Sequence, residues 1–167
     1  MINPCSFCDA RCCKSYTITT TIFDLVRIAN ATNKPIESFT EFHEPRLLSY
    51  DPDLVIDTTD GYECYLLGIK SHPCVFLNVF ANRCTVHKDA PLSCKRYPFT
   101  LSGSHNPRFC SFASSLLYRF CSPDIGLTEL EKELALHKSF VRKWNKKKGT
   151  RNECLEFLIS ATSVSKD

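Results

Sequence analysis

Eleven cysteines among 167 residues, a turn signal at Asp60-Gly61 between two β-prone runs, and an apolar stripe recurring from Leu130 to Trp144 together predict an α+β fold. The chain opens MINPCSFCDARCCKS, with no basic stretch leading into an apolar one, and no later segment approaches the roughly 18 consecutive apolar residues of a membrane span. A soluble cytoplasmic protein with no membrane partner is the expectation, and in a reducing cytoplasm stable disulfides are disfavoured. The odd cysteine total also leaves a thiol outside any complete set of intramolecular bridges. Metal ligation is therefore the leading reading of the cysteine excess. The expected architecture is a small single domain, mainly short helices and loops organised around a cysteine metal site, with a minor β-hairpin. Residues 1–125 form the cysteine-rich metal-binding region, and residues 126–160 form C-terminal helices packed on the same domain. Lys plus Arg number 21 against 18 for Asp plus Glu, a net charge of +3 that implies no large uniform field.

The elements follow in order. Cys5, Cys8, Cys12 and Cys13 come first, and the Thr-rich run from Lys14 to Ile22 makes a short strand or an extended lead-in. Thr20 or Thr21 caps a short helix carrying Phe23, Leu25, Val26 and Ile28, and Asn30 and Asn33 end it ahead of Pro35. The segment PIESFTEFHEPRLL starts with a proline suited to a first helical turn and predicts a turn or two more before Pro45. Leu54 to Thr58 and Tyr62 to Leu67 pair as a hairpin about Asp60-Gly61, and Val75 to Phe80 is a further β-prone run. From Asn78 to Pro107, asparagines and prolines break the chain into loops that ligation would tether. Thr128 and Glu131 read as a capping box for a helix on which Leu130, Leu134, His137, Val141 and Trp144 recur at helical spacing. Its acidic start and KKKG end suit the helix dipole, with Gly149 as the left-handed stop. Thr150 and Glu153 then cap a last helix through Ile159, with Leu155, Leu158 and Ile159 inward.

In Cys5-x2-Cys8 the two-residue gap lets both sulfurs approach one ion, because the turn between them folds its backbone around the metal. Adjacent Cys12 and Cys13 need a turn to reach the same place; otherwise one serves a second centre or stays a free thiol. Cys74, Cys84 and Cys94 are each separated by nine residues, and Cys110 lies sixteen residues further on. Loops this long need the early cluster to complete a compact site. The combination of CSFCDARCC from Cys5, CVFL from Cys74, CTVHKDAP from Cys84 and CKRYPF from Cys94 resembles the YkgJ-like family of zinc- or iron-chelating proteins. The resemblance runs from Cys5 to Phe99, includes Asp24, Leu25 and Ile28 in a short helix after the first cluster, and makes Cys110 the eighth cysteine. It implies Cys5, Cys8, Cys12, Cys13, Cys74, Cys84, Cys94 and Cys110 as the cofactor and metal ligands. Where the family usually has a tyrosine and two arginines, this chain has His87, Ala90 and Lys95, so two guanidinium forks for anions are missing. His87 reads as a hydrogen-bonded structural residue, with ligation in a mixed centre as the alternative. Cys64, Cys121 and Cys154 lie in apolar surroundings and read as core thiols.

Thiolate number and spacing do not choose between zinc and iron–sulfur. The aromatics Phe7, Phe76, Tyr97, Phe99 and Phe109 beside the ligands would exclude water, which favours a [4Fe–4S] cluster, with zinc as the alternative or as a second centre. The expected function is that of a cytoplasmic cysteine-ligated metal-binding protein with a structural, metal-handling or redox role and a redox or protein partner. Two other classes stand beside it. The resemblance extends to flagellin lysine N-methylases and so implies a protein-methylation enzyme or accessory, although no nucleotide-binding glycine loop is recognisable. Lys138, Arg142, Lys143, Lys146, Lys147 and Lys148 with Trp144 offer phosphate attraction and base stacking for nucleic acid, against which Trp144 falls on the apolar stripe. The C-x3-C-x2-C order of radical S-adenosylmethionine enzymes is absent, and neither a metalloprotease histidine pair nor a Ser-His-Asp set emerges.

Overall fold

The computed structural model describes residues 9–45, 51–61, 64–97 and 127–164. The expectations that concern Cys5, Cys8, Cys110, Cys121, Phe7, Phe99 and Phe109 fall outside these described residues. In chain order the elements are α1 (Arg11–Ser15), β1 (Ile18–Thr19), α2 (Ile22–Thr32), β2 (Thr40–His43), β3 (Ile56–Asp57), β4 (Cys64–Ile69), β5 (Leu77–Asn78), β6 (Arg83–Cys84), α3 (Leu92–Arg96), α4 (Leu127–Lys147) and α5 (Arg151–Val164), with single 3-10 turns at Ile36–Ser38, Pro52–Leu54 and His87–Asp89. This is a small mixed α/β arrangement of short helices, loops and an open sheet.

Strand β4 organises the sheet. Its YLLGI run is buried on both faces, as a continuous apolar strand must be. β1, β2 and β3 all pair with it antiparallel, in the registers Thr19 with Gly68, Phe42 with Leu67 and Ile56 with Tyr65. The β3–β4 hairpin matches the turn signal, and Gly61 there takes the left-handed φ of +73° that an L side chain resists. The sheet is nevertheless larger than the minor hairpin expected, because the segment after Pro35 is not a helix. It makes one 3-10 turn and then strand β2. Pairing with β4 and the burial of Phe39 and Thr40 outweigh the helical start that the proline allows.

Helix α2 forms as its ends dictate. Thr21 and Asp24 close a reciprocal capping box, and Asn33 takes the left-handed conformation that stops the helix. Its buried face of Ile22, Leu25 and Ile28 meets Ile56, Leu67 and Ile69 of the sheet, Phe140, Val141 and Trp144 of α4, and Cys154, Leu155 and Leu158 of α5. Arg27 ties α2 to α4, donating to Glu133 Oε1 at 2.8 Å and to Asp24. Burial lifts the Glu133 carboxyl above its ordinary range, against the pull of Arg27.

Helix α4 carries the predicted stripe, but Thr128 already lies inside it and so is not its N-cap. At its other end Lys148, not Gly149, takes the left-handed φ. Gly149 is needed for space instead, since a Cβ there would stand 2.8 Å from the Trp144 ring. The Thr150–Glu153 capping box of α5 is present, with Leu155 and Leu158 buried and Ile159 half-buried. Four basic residues, Lys138 and Arg142 of α4, Lys148 just after it and Arg151 at the start of α5, face an aspartate ladder of Asp51, Asp53, Asp57 and Asp60 respectively. Trp144 is fully buried and donates its indole N–H to the Asp57 carbonyl at 2.8 Å, so it has no face left for a nucleic-acid base.

Candidate metal centre

Four short segments bring the described candidate cysteines together. Ala10 takes a left-handed φ of 57° and starts α1, so Cys12 and Cys13 occupy one helical turn instead of alternating as in a strand. Their sulfurs lie 3.8 Å apart. The turn that adjacent ligands require is therefore built in. The Cys74 N–H donates to the Cys13 carbonyl at 2.7 Å, fastening the second segment to the first, and Thr17 Oγ1 meets His72 Nε2 at 3.1 Å just ahead of the cis His72-Pro73 bond.

The nine-residue gaps have a structural meaning. The first is the β5–β6 hairpin, in which Leu77 pairs with Cys84 and the Leu77 N–H donates to the Cys74 carbonyl. Asn82 supplies a left-handed turn residue, and Asn78 Oδ1 accepts from the N–H groups of Phe80 and Ala81. The expected run from Val75 to Phe80 shortens to two strand residues because the chain turns there. The second gap holds the 3-10 turn His87–Asp89 and leads into α3, which carries Cys94. Helix α3 is held from two sides: the Leu92 N–H donates to Asp24 Oδ1 at 2.9 Å, and Ser93 Oγ donates to the Thr19 carbonyl at 3.5 Å.

Cys12, Cys13, Cys74, Cys84 and Cys94 all line one cavity of about 210 Å³, with Phe76, Val86 and Ile69 among its apolar walls and Tyr16, Tyr97 and His87 beside them. Among the described residues, no group of three or more His, Cys, Asp or Glu side chains is drawn in tightly enough to hold a single ion as it stands. The thiols surround a space instead of closing on a point. Burial and mutual proximity make Cys13, Cys74, Cys84 and Cys94 reluctant to ionise. Burial pushes Cys74 up to about 11 and also raises Cys84, while Cys13 is raised first by its contact with the Cys12 thiol and then by burial. Cys94 lines the cavity yet is so enclosed that burial lifts it well above its ordinary value, and Cys13 and then Asp24 add to the effect. A cation among these sulfurs reverses that balance, since metal binding releases thiol protons. Cys154 is a different case: it lies on α5, fully buried in the hydrophobic core, and burial alone takes it to about 12. Cys64 begins β4 opposite Asp57, away from the cavity.

A family model described as a "putative zinc- or iron-chelating domain" matches residues 4–111, about two-thirds of the chain. The chain belongs to the CxxCxxCC family. That match spans the eight cysteines of the resemblance to the YkgJ-like family and confirms it. Comparisons with curated proteins and with solved structures gave no match. Within the CxxCxxCC region, Phe76 and Tyr97 line the cavity as expected of water-excluding aromatics. Sequence reasoning placed Asp24 in the short helix after the first cluster but gave no holding role to it, to Thr19 or to Ser93, which hold the cysteine segments from outside the cysteine motifs. Only Asp24 left a signal, at the third helical position after the Thr21 cap.

Proposed function

We propose that the protein is a cysteine-ligated metal-binding protein whose cavity holds an iron–sulfur centre, in a reducing, cytoplasmic setting, with a redox or metal-handling role. The observation that carries this is the convergence of five cysteines, from segments up to 82 residues apart, on one apolar cavity of about 210 Å³. The donor set fits: five soft sulfur ligands, no carboxylate among the described residues of the lining, and aromatic walls. Four of Cys12, Cys13, Cys74, Cys84 and Cys94 would hold a [4Fe–4S] centre, and Cys5, Cys8 and Cys110 would complete the family's set of eight. When bound, a [4Fe–4S] centre supplies one-electron chemistry. The chain's own residues exclude water through Phe76 and Val86, and fix the thiols through the Cys74 N–H to Cys13 carbonyl bond and the β5–β6 hairpin. An iron–sulfur core places its own atoms between the thiolates, which suits sulfurs arranged around a space.

One observation favours zinc as the second reading. The 3.8 Å between the Cys12 and Cys13 sulfurs equals the edge of a tetrahedron with metal–sulfur bonds of ~2.3 Å. Anaerobic purification followed by iron, zinc and acid-labile sulfide analysis separates the two. Iron and sulfide in equal amounts, about four of each per chain, support the iron–sulfur reading. Zinc without sulfide would replace it with the second.

A further inference from the structure

Asp24 is a buried carboxylate outside the cysteine set, with its side chain only 3% exposed. Oδ2 accepts from the Thr21 N–H at 3.0 Å and from the Thr21 hydroxyl at 3.1 Å, which serves the cap of α2. Oδ1 accepts from Arg27 and, at 2.9 Å, from the N–H of Leu92, 68 residues away in the chain. Leu92 is the first residue of α3, and Cys94 follows two positions later. The opening N–H groups of a helix have no partner within it, and Pro91 gives α3 no side-chain cap. A helix of five residues is also too short to hold itself by its own hydrogen bonds. The missing cap comes from α2.

We infer that Asp24 is the positioning residue for Cys94: by capping α3 from α2 it fixes the Cys94 sulfur in the cavity and keeps a buried negative charge beside the centre held there. This rests on the metal-centre reading above. Carboxylates that orient a ligand from behind typically govern metal affinity as strongly as many direct contacts. Asp24 accepts from the N–H of Leu92, two residues before Cys94, so its buried charge stands close to that ligand. Once Cys94 is a thiolate ligand, the same charge opposes an added electron and lowers the potential of the centre. Arg27, shared with Glu133, keeps the carboxylate aligned without touching the cavity.

The test compares wild type with Asp24→Asn and Thr21→Ala. The asparagine keeps the size of the side chain but turns one acceptor into a donor facing the donors of Thr21 or Leu92. Thr21→Ala weakens the α2 cap and leaves the Leu92 bond intact. Each protein is loaded anaerobically with iron and sulfide, or with zinc alone, and challenged with a chelator; amide exchange at Leu92 is followed in the metal-free proteins. Asp24→Asn is expected to weaken metal retention by about 10- to 100-fold, to speed Leu92 exchange, and to move the midpoint potential of the iron-loaded centre in the positive direction. Thr21→Ala is expected to melt earlier yet retain metal within about twofold, at an unchanged potential. Equal losses in the two variants would reduce Asp24 to a helix cap and overturn the inference, as would unaltered affinity and potential in Asp24→Asn. Wild type that takes up neither metal would instead overturn the metal-centre reading, and this inference with it.

Discussion

Replacing Gly68 by alanine tests how the sheet holds the cysteine segments. Gly68 lies where β1 and β2 both pair with β4, opposite Thr19 on one side and Glu41 on the other. A Cβ at this position would stand 2.5 Å from His43 Cδ2 and 2.6 Å from the Ile18 carbonyl oxygen. The imidazole can turn away at the expense of its 3.2 Å contact with the Ile69 carbonyl. The Ile18 carbonyl cannot, because it belongs to β1, which must withdraw by about 0.8 Å to reach ordinary contact distance at 3.4 Å. Overpacking of this kind costs ~1–3 kcal/mol, and at ~2–4 °C per kcal/mol for a domain of this size it lowers the melting temperature by roughly 2–12 °C. Since β1 follows closely on α1, the shift also moves Cys12 and Cys13 relative to Cys74, and metal retention falls with stability. The assay is thermal and urea unfolding of Gly68→Ala, His43→Ala and the double variant. Removing the imidazole restores only part of the loss, because the carbonyl contact remains. Gly68→Ala within ~0.5 kcal/mol of wild type, or full recovery in the double variant, would refute the β1–β4 register.

His137 is 1% exposed, and burial lowers it from 6.5 to about 4, so the neutral ring is the form the fold accepts. Stability from this group is complete above pH 6.5 and lost as pH falls from there toward 4, by up to ~3 kcal/mol, and urea midpoints in His137→Leu should lack that portion of the acid slope. Asn145 accepts from the Asp57 N–H at 3.0 Å and donates to the Val55 carbonyl at 2.8 Å, so Asn145→Ala should cost ~1–3 kcal/mol in chemical denaturation. Arg142→Ala, which removes an exposed rung of the aspartate ladder, should barely move the same midpoint. Cys154→Ser should lower the melting temperature by placing a hydroxyl in the core while leaving metal content unchanged; a loss of metal would bring Cys154 into the site.

What the sequence made legible follows the range of the interactions. Thr21, Asn33, Thr150 and Glu153 act within a helical turn of the backbone they cap, and each has the role its position predicts. The β3–β4 hairpin was legible for the same reason, since Gly61 sets its turn locally. Strand β2 was not, because Pro35 suits a helix start and only β4 makes an extended Thr40–His43 favourable. The stop at Lys148 was assigned to the neighbouring glycine, whose real constraint is the Trp144 ring five residues back. In the site, the cysteine spacings named candidates, but the hydrogen bond from Leu92 to Asp24 spans 68 residues and leaves no periodic or local trace. Lys138, Arg142 and Lys148 looked like free cations until Asp51, Asp53 and Asp57 were placed against them.

Cysteines from segments distant in sequence are proposed to share one centre. Metal stoichiometry of anaerobically purified Cys13→Ser and Cys84→Ser proteins, measured beside wild type and Cys64→Ser, tests it most directly. The shared cavity predicts that each of the first two loses most of its bound metal while Cys64→Ser keeps the wild-type amount. Full metal content in either Cys13→Ser or Cys84→Ser would contradict it.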